Sequence, residues 1–232
     1  MHRILDVASS FAVTAARPLT GLRVEALGPR PRQPLELYEF EACPYCRKVR
    51  EALTALDLEV DVRPCPKGGT RFRPLVRERG GKEQFPYLVD PNTGKAMYES
   101  GDIVRYLFAT YGTGRTPRAY QAGPLWGASA ALAALARPGL GVRAEPSRAP
   151  RQPLELWSFE ASPFSRLVRE KLCTLELPYR LHNVGKGSPS RPAFERRAGR
   201  IQVPFLVDPN TNVEMFESAD IVRYLEATYG AE

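Results

Sequence analysis

The chain has few of the residues that build metal and disulfide sites. Its 232 residues include four cysteines and two histidines, and His2 and His182 show no metal-ligand spacing. Cys43 and Cys46 form one close pair, whereas a zinc ribbon needs a second pair at ligand spacing. Four cysteines are also sparse, and no secretory signal precedes them, so the sequence disfavours a secreted disulfide scaffold.

Long apolar runs and organised basic patches are missing as well. No apolar run reaches the roughly eighteen residues of a membrane-spanning helix, so we expect no transmembrane segment. The formal net charge is +7, but the arginines are scattered and do not alternate with aromatic residues. We therefore expect a solvated charged surface and no nucleic-acid partner.

What the chain does contain is a long internal repeat. Gln33 to Leu58 aligns with Gln152 to Leu177 without gaps, with 16 of 26 positions identical. Gln84 to Gly112 aligns with Gln202 to Gly230, with 21 of 29 positions identical, after a slip of one residue. A period of nearly 120 residues has the size of a domain. The sequence therefore predicts two copies of one domain.

Both copies show the same succession of apolar patterns. In the first copy the predicted elements are strand Leu35 to Phe40, helix Arg47 to Leu58, strand Leu58 to Val62, helix Phe72 to Arg79, strand Tyr87 to Val89, strand Ala96 to Tyr98 and a last helix that Ser100 could cap. A turn at Asp90 to Gly94 makes the last two strands antiparallel. The order βαβαββα is thioredoxin-like, so we predict an α/β fold of two tandem thioredoxin-like domains joined by an apolar helical linker.

Four segments follow from this division. Residues 1–32, with only two acidic residues, are either a helical extension or the remnant of an organellar transit peptide. Residues 33–112 and 152–232 are the two domains, and residues 113–151 are the linker. The linker contains an alanine-rich apolar helix, Leu125 to Ala136, that is too short to span a bilayer. We expect it to pack with the N-terminal helix and to clamp the domains together.

The motif CPYC, Cys43 to Cys46, stands where a predicted strand gives way to a helix. A Cys-x-x-Cys at such a junction favours redox chemistry over metal binding. At a helix N-terminus, free backbone N–H groups and the helix dipole favour the thiolate of Cys43, and Arg47 and Lys48 add positive charge nearby. Cys46, one turn later, can attack the mixed disulfide that Cys43 forms. We predict that Cys43 is an ionised, accessible nucleophile and Cys46 the resolving thiol.

Two further features recur in both copies and would converge on Cys43 in such a fold. Phe85-Pro86 and Val203-Pro204 precede the third strand, where a cis proline presents the preceding backbone to an extended peptide. An ordinary strand-initiating proline is the alternative. Glu99-Ser100 and Glu217-Ser218 open the last helix, where a hydroxyl, backbone N–H groups and a carboxylate suit a zwitterionic γ-glutamyl head. Plain helix capping, which needs no ligand, is the alternative.

These residues resemble two known families. The CPYC motif is similar to the active site of dithiol glutaredoxins. Phe85-Pro86, with Glu99-Ser100 and Ile103 to Leu107, resembles the N-terminal, glutathione-binding domain of glutathione S-transferases. Over about residues 33–230 the chain resembles a plant and algal plastid group with two such domains in tandem. This resemblance, with the acid-poor start of the chain, implies a location in the chloroplast stroma.

The resemblance also implies a ligand and its contacts. Glutathione would be the co-substrate, and glutathionylated or disulfide-bonded proteins would be the partners. Phe85 would bind the cysteinyl backbone of glutathione, and Glu99 with Ser100 would bind its γ-glutamyl end. The implied binding residues are Tyr45, Phe85, Pro86, Glu99 and Ser100 in the first copy and Ser162, Val203, Pro204, Glu217 and Ser218 in the second.

The chain departs from these families at three points. Phe40 stands three residues before Cys43, where glutaredoxins usually carry a lysine for the glycine carboxylate. No large helical domain of the transferase type is seen, so we expect no complete pocket for a hydrophobic co-substrate. Ser162 and Ser165 replace both cysteines in the second copy, and serine cannot exchange disulfides. Ser162 could instead bind a glutathione thiolate, or the second copy is retained for packing alone.

Three functional hypotheses result. The first is glutathione-linked disulfide exchange or deglutathionylation at Cys43, with a degenerate second domain. The second is serine-type transferase activity at Ser162. The third is a non-enzymatic glutathione-binding or scaffold protein. An iron-sulfur cluster held by Cys43 and external glutathione is a form of this third hypothesis that is not favoured. Of the remaining cysteines, we expect Cys65 to be a loop residue rather than a third redox thiol and Cys173 to serve packing.

Overall fold

A computed structural model of the chain describes residues 20–121 and 141–231. Two units of the order βαβαββα follow each other, which confirms the predicted fold class. The first consists of β1 (Leu35–Glu39), α1 (Pro44–Ala55), β2 (Val60–Pro64), α2 (Arg73–Gly80), β3 (Tyr87–Asp90), β4 (Lys95–Met97) and α3 (Ser100–Tyr111). The second consists of β5 (Leu154–Ser158), α4 (Pro163–Thr174), β6 (Tyr179–Asn183), α5 (Arg191–Ala198), β7 (Phe205–Asp208), β8 (Val213–Phe216) and α6 (Ser218–Tyr229). A 3₁₀ turn, Arg118–Tyr120, follows the first unit. The predicted apolar helix and the N-terminal helix lie outside the described residues.

Two elements differ by more than one residue from their predicted bounds. The helical pattern read from Arg47 to Leu58 corresponds to α1 at Pro44–Ala55, with Cys43 at the N-cap, as expected for a cysteine at the helix N-terminus, and with proline, which has no N–H to satisfy, in the first turn. Strand β2 lies two residues later than expected. Asp57 adopts a positive φ of 53°, so the chain reverses before Val60 pairs with Leu35.

The two units share one eight-stranded sheet in the order β4-β3-β1-β2-β6-β5-β7-β8. Within each unit the first two strands are parallel and the remaining pairs are antiparallel. The units join through an antiparallel pairing of β2 with β6, in which Val60 lies opposite Leu181 and Val62 opposite Tyr179. The strands themselves therefore hold the units together, a connection that the sequence analysis did not predict.

A single apolar core extends through both units. It contains the expected stripe of α1, including Val49 and Leu53, together with the equivalent residues Val168 and Leu172 of α4. Burying such side chains stabilises the fold by about 1.5–3 kcal/mol each. The core ties both copies into one body.

A short segment before each unit crosses to the other unit. We call Gly21 to Glu25 the first strap and Gly141 to Glu145 the second strap; both read Gly-x-Arg-x-Glu. The first strap pairs with Lys186 of the second unit, through the N–H of Val24 at 2.9 Å. The second strap pairs with Lys67 of the first unit, through N–H groups at 2.7 and 2.9 Å. Each strap thus bonds to the unit that it does not precede, so the two straps link the copies in both directions.

Candidate active site

Cys43 lies at the N-cap of α1, where its sulfur accepts a hydrogen bond from the backbone N–H of Cys46 at 3.2 Å. Hydrogen bonding from the Cys46 thiol, helped by the backbone N–H groups of Cys46 and Tyr45, lowers the pKa of Cys43 against the opposing effect of burial. Burial and the hydrogen bond to Cys43 raise the pKa of Cys46 well above its usual range. The two thiols therefore differ in ionisation, as a nucleophile and a resolving thiol must.

The cations that follow the motif contact other side chains. Arg47 Nε donates to Glu51 at 3.1 Å and lies 3.6 Å from Glu160. Lys48 Nζ lies 5.6 Å from the centroid of the Tyr45 ring. The Cys46 thiol and the backbone N–H groups at the start of the helix therefore lower the pKa of Cys43.

The accessible sulfur expected from the sequence is not found. Cys43 is 3% exposed and Cys46 is fully buried, whereas Tyr45 between them is 56% exposed. The motif reaches the surface through the tyrosine ring. Contact between Cys43 and a disulfide therefore requires a local opening of this turn.

Both proline bonds, Phe85-Pro86 and Val203-Pro204, are cis, as predicted. The Phe85 ring packs edge-on against Phe40, with centroids 6.2 Å apart. The guanidinium of Arg73 also lies over this ring, 4.8 Å from the centroid of Phe85. The sequence analysis missed this arginine, which places a cation beside Phe85.

Glu99 and Glu217 occupy the N-cap positions of α3 and α6, and neither makes a capping hydrogen bond through its side chain. Capping by these glutamates, and the cap expected at Ser100, are therefore wrong. Each glutamate instead accepts a hydrogen bond from a glutamine, Gln84 at 2.5 Å and Gln202 at 2.7 Å. Their φ values of 65° and 68° are rare for a residue with a side chain.

The two glutamines were also missed by the sequence analysis. Gln84 and Gln202 each stand two residues before the cis proline, and this recurrence was the available signal.

In the second copy the predicted binding residues surround an open cavity of about 260 Å³. Its lining consists of Phe164, Gln202, Val203, Pro204, Glu217 and Ser218. Ser162 is not among these residues; it is 2% exposed and accepts a hydrogen bond from the N–H of Ser165 at 3.2 Å. The structure thus brings the predicted residues of this copy together, apart from Ser162.

A buried charge cluster lies between the two copies. Arg50 of α1 reaches Glu160 of the second copy at 2.9 Å, and Arg169 of α4 reaches Glu41 of the first copy at 3.1 Å. The cluster comprises Glu39, Glu41, Arg47, Arg50, Glu51, Glu160, Arg166, Arg169 and Glu170, all of them buried. Its signal in the sequence was an Arg-x-x-Arg-Glu pattern at the same helical positions of both copies.

The pKa values of two carboxylates of the cluster are shifted in opposite directions. Burial raises the pKa of Glu39 to about 7, although Arg50 counteracts it. Burial also acts to raise the pKa of Glu160, but Arg169, Arg50, Arg47 and Arg166 outweigh it and hold that pKa below its usual range.

The other two cysteines are buried, and both thiols are held in the protonated form. Cys65 follows β2 directly, and burial raises its pKa. Cys173 lies in α4 between the copies, and burial raises its pKa as well. Its sulfur accepts a hydrogen bond from the N–H of Glu41, and its S–H donates to the carbonyl of Gly141, both at 3.4 Å. Both cysteines therefore serve packing rather than redox exchange.

Within residues 20–121 and 141–231, no three His, Cys, Asp or Glu side chains are grouped as ligands for a metal ion. None of the helices in these ranges has the length and apolar character needed to cross a membrane.

A family model for the N-terminal domain of glutathione S-transferase matches the chain twice, over residues 37–117 and 156–232. Comparison with curated proteins gives no match. Among solved structures, a glutathione transferase of Bombyx mori is 27% identical, with a TM-score of 0.33 over 37% of this chain and 39% of that one.

Two further solved structures are similar. A delta-class glutathione transferase of Nilaparvata lugens is 27% identical, with a TM-score of 0.31 over 34% of this chain and 37% of that one. A trimeric glutathione transferase of Leishmania is 13% identical, with a TM-score of 0.31 over 86% of this chain and 68% of that one. The chain spans about two fifths of the length of the first matched structure.

Proposed function

Because the chain belongs to the family of glutathione S-transferase N-terminal domains, we propose that it is a glutathione-linked thiol-disulfide oxidoreductase that uses Cys43 and Cys46. One observation carries this proposal. The hydrogen bond from the Cys46 thiol, together with the backbone N–H groups that reach Cys43 at the N-cap, lowers the pKa of Cys43, while burial raises the pKa of Cys46. A nucleophile must be a thiolate near neutral pH, and the resolving thiol must stay protonated until it is needed.

The reaction follows from these two states. The Cys43 thiolate attacks the glutathione sulfur of a glutathionylated protein, and the protein thiolate leaves and takes up a proton. The Cys43–glutathione disulfide is then broken in one of two ways. Cys46 loses its proton and attacks Cys43, which releases glutathione and leaves Cys43 and Cys46 oxidised as a disulfide. Alternatively, a second glutathione thiolate attacks the bound glutathione, so that glutathione disulfide departs and Cys43 is reduced.

Access to Cys43 is the conformational step of this reaction. The sulfur is buried, but Tyr45 is exposed and the motif forms the first turn of a helix. End turns of helices open at low free-energy cost compared with cores. A displacement of the Tyr45 ring and of this turn is therefore what admits the disulfide.

Glutathione binding beside Cys43 is supported by four groups. The cis bond at Phe85-Pro86 presents the Phe85 backbone, and the uncapped start of α3 leaves N–H groups for a carboxylate. Glu99 is exposed and suits an ammonium group. Arg73 bonds Glu83 through Nη1 and backbone carbonyls through Nε, and its remaining N–H groups suit the glycine carboxylate in place of the lysine absent at Phe40.

A second candidate function concerns the second copy alone. Its cavity of about 260 Å³ joins Val203, Pro204, Glu217 and Ser218, which supports glutathione binding without redox chemistry. Ser162 does not line this cavity, so the geometry favours binding over serine-type transfer.

The test of the main proposal is reduction of a glutathione mixed disulfide by glutathione, followed in the wild type, Cys43→Ser and Cys46→Ser. We expect Cys43→Ser to abolish turnover and Cys46→Ser to retain the route through a second glutathione. Undiminished turnover in Cys43→Ser would contradict the proposal. Calorimetric titration of Cys43→Ser with glutathione, with Glu217→Gln as its comparison, tests the second copy.

We also propose that the protein acts in the plastid stroma. The acid-poor first 32 residues, which resemble the remnant of a transit peptide, support this location. A fluorescent fusion at the C-terminus that stays in the cytosol would contradict it.

A further inference from the structure

Glu41, two residues before Cys43, is held mainly by the second copy. Arg169 Nε donates to its Oε2 and Arg169 Nη2 to its Oε1, both at 3.1 Å, which is the two-pronged geometry of a guanidinium and a carboxylate. The N–H of Glu41 donates to the sulfur of Cys173 at 3.4 Å. Its own copy adds Arg50, whose Nη2 donates to the backbone carbonyl of Glu41 at 3.1 Å and lies 3.3 Å from its Oε2.

The second strap closes against the same residue. Gly141 has a φ of +67°, and a Cβ at this position would lie 3.0 Å from the Cβ of Glu41. The Cys173 thiol donates to the carbonyl of Gly141 at 3.4 Å, so one side chain of α4 bonds both the strap and the turn. Glu41 is thus enclosed by an arginine and a cysteine of the second copy and by a glycine of the second strap.

The position of Glu41 fixes that of Cys43. The two residues belong to one tight turn, in which the N–H of Cys43 donates to the carbonyl of Phe40 at 3.0 Å. This turn sets Cys43 at the N-cap, where its sulfur receives the N–H of Cys46. A shift of the turn would weaken the bond that favours the thiolate.

We propose that the second copy is a positioning unit for the CPYC turn, in which Arg169 and Cys173 hold Glu41 and so keep Cys43 at the start of α1. This role rests on the proposed thiol chemistry of Cys43. It gives the second copy a function that needs no cysteines of its own.

Each copy holds the glutamate of the other copy in the same way, but only the first copy carries a reactive thiol beside that glutamate. Glu160, the counterpart of Glu41, is held by Arg50 at 2.9 Å and by Gly21, at which a Cβ would lie 2.9 Å from the Cβ of Glu160. The turn after Glu160 carries Ser162, which cannot exchange disulfides. Only the hold of the second copy on the first therefore affects a reactive thiol.

The chain offers a matched control for a merely structural role. Arg180 of β6 also makes a two-pronged bond across the two copies, to Asp61 of β2 at 2.8 and 3.2 Å. This pair lies on the sheet, whereas Arg169 acts on the CPYC turn. Substitution by lysine at either position keeps the positive charge and removes the second of the two hydrogen bonds to the carboxylate.

The experiment is alkylation of Cys43 by iodoacetamide as a function of pH, with the modified residue located by mass spectrometry. In Arg169→Lys we expect the pH midpoint to rise and the rate below the midpoint to fall by about threefold, the change that about half a pKa unit produces. Arg180→Lys should reproduce the wild-type profile. An unchanged Arg169→Lys profile, or equal shifts in both variants, would overturn the proposal.

Should Arg169→Lys fail to give a folded protein, Cys173→Ala decides the question by the same criterion. It removes the acceptor of the Glu41 N–H, so its midpoint should also rise, and an unchanged midpoint would overturn the proposal. The readout needs no turnover. A normal thiol profile without disulfide reduction would therefore count against the oxidoreductase function and not against the positioning role.

Discussion

Glu39 and Ser158 occupy the same position in the two copies, at the end of β1 and of β5, and each accepts a hydrogen bond from the equivalent arginine. Arg50 donates to Glu39, and Arg169 donates to the hydroxyl of Ser158 at 3.2 Å. Elsewhere the cluster is repeated, with two glutamates and two arginines in each copy. Glu39 is therefore an additional buried carboxylate, and it belongs to the copy that carries the cysteines.

The additional carboxylate of Glu39 predicts how the stability of the protein depends on pH. The pKa of Glu39 is raised from 4.5 to about 7, so between these values the folded protein holds a proton that the unfolded chain has lost. Its contribution to the free energy of unfolding is therefore full below about pH 4.5 and is lost as pH rises to about 7. In urea unfolding, the free energy of unfolding should fall less between pH 5 and pH 8 for Glu39→Gln than for the wild type.

The exposed residue Glu195 is the control for Glu39. Glu195→Gln should follow the wild-type pH dependence. A Glu39→Gln variant that follows it too would mean that Glu39 is ionised throughout this range.

Removal of Arg50 should destabilise the protein strongly. Arg50 is 1% exposed and bonds Glu39, Glu160 and the carbonyl of Glu41. Arg50→Met leaves buried carboxylates without their partner, and we expect a loss of about 3–5 kcal/mol in urea unfolding. The exposed Arg223, paired with Asp220 in α6, is the comparison, and Arg223→Met should leave the midpoint unchanged. A similar small effect at Arg50 would contradict this account of the cluster.

The straps should be sensitive to a methyl group at their first glycine. Gly21 and Gly68 both have positive φ, at +71° and +79°, but an added Cβ clashes with Glu160 only at Gly21. Gly68→Ala should cost about 1 kcal/mol from its conformation alone. Gly21→Ala should lower the free energy of unfolding by more than Gly68→Ala does, as measured by thermal or urea unfolding. Equal losses in the two variants would show that the first strap accommodates the methyl group without strain.

Arg73 should affect glutathione rather than the chemical step. If it binds the glycine carboxylate, Arg73→Ala should raise KM for glutathione several-fold in mixed-disulfide reduction and leave kcat nearly unchanged. Arg191 is its counterpart in the second copy, where it donates to the carbonyls of Val184 and Gly185. Arg191→Ala should leave KM unchanged. A fall in kcat at constant KM for Arg73→Ala would place the arginine elsewhere in the reaction.

The sequence predicted what depends on local patterns. The repeat, the apolar stripe of Val49 and Leu53, and the cis prolines before the third strand all leave short-range signals. The pairing of Val60 with Leu181 joins residues more than a hundred positions apart, and no local pattern specifies it.

The burial of Arg50 and Arg169 could not be predicted for a different reason. Charged residues on a helix are ordinarily solvated, and part of the pairing that compensates for the burial of these two arginines comes from the other copy.

The most direct test of the account is to trap glutathione on Cys43. Cys46→Ser protein is incubated with oxidised glutathione, and the adduct is located by mass spectrometry of peptides. The account predicts one glutathionyl group on Cys43, with Cys65 and Cys173 unmodified. A Cys43 that stays free, or an adduct on either of the other two cysteines, would contradict it.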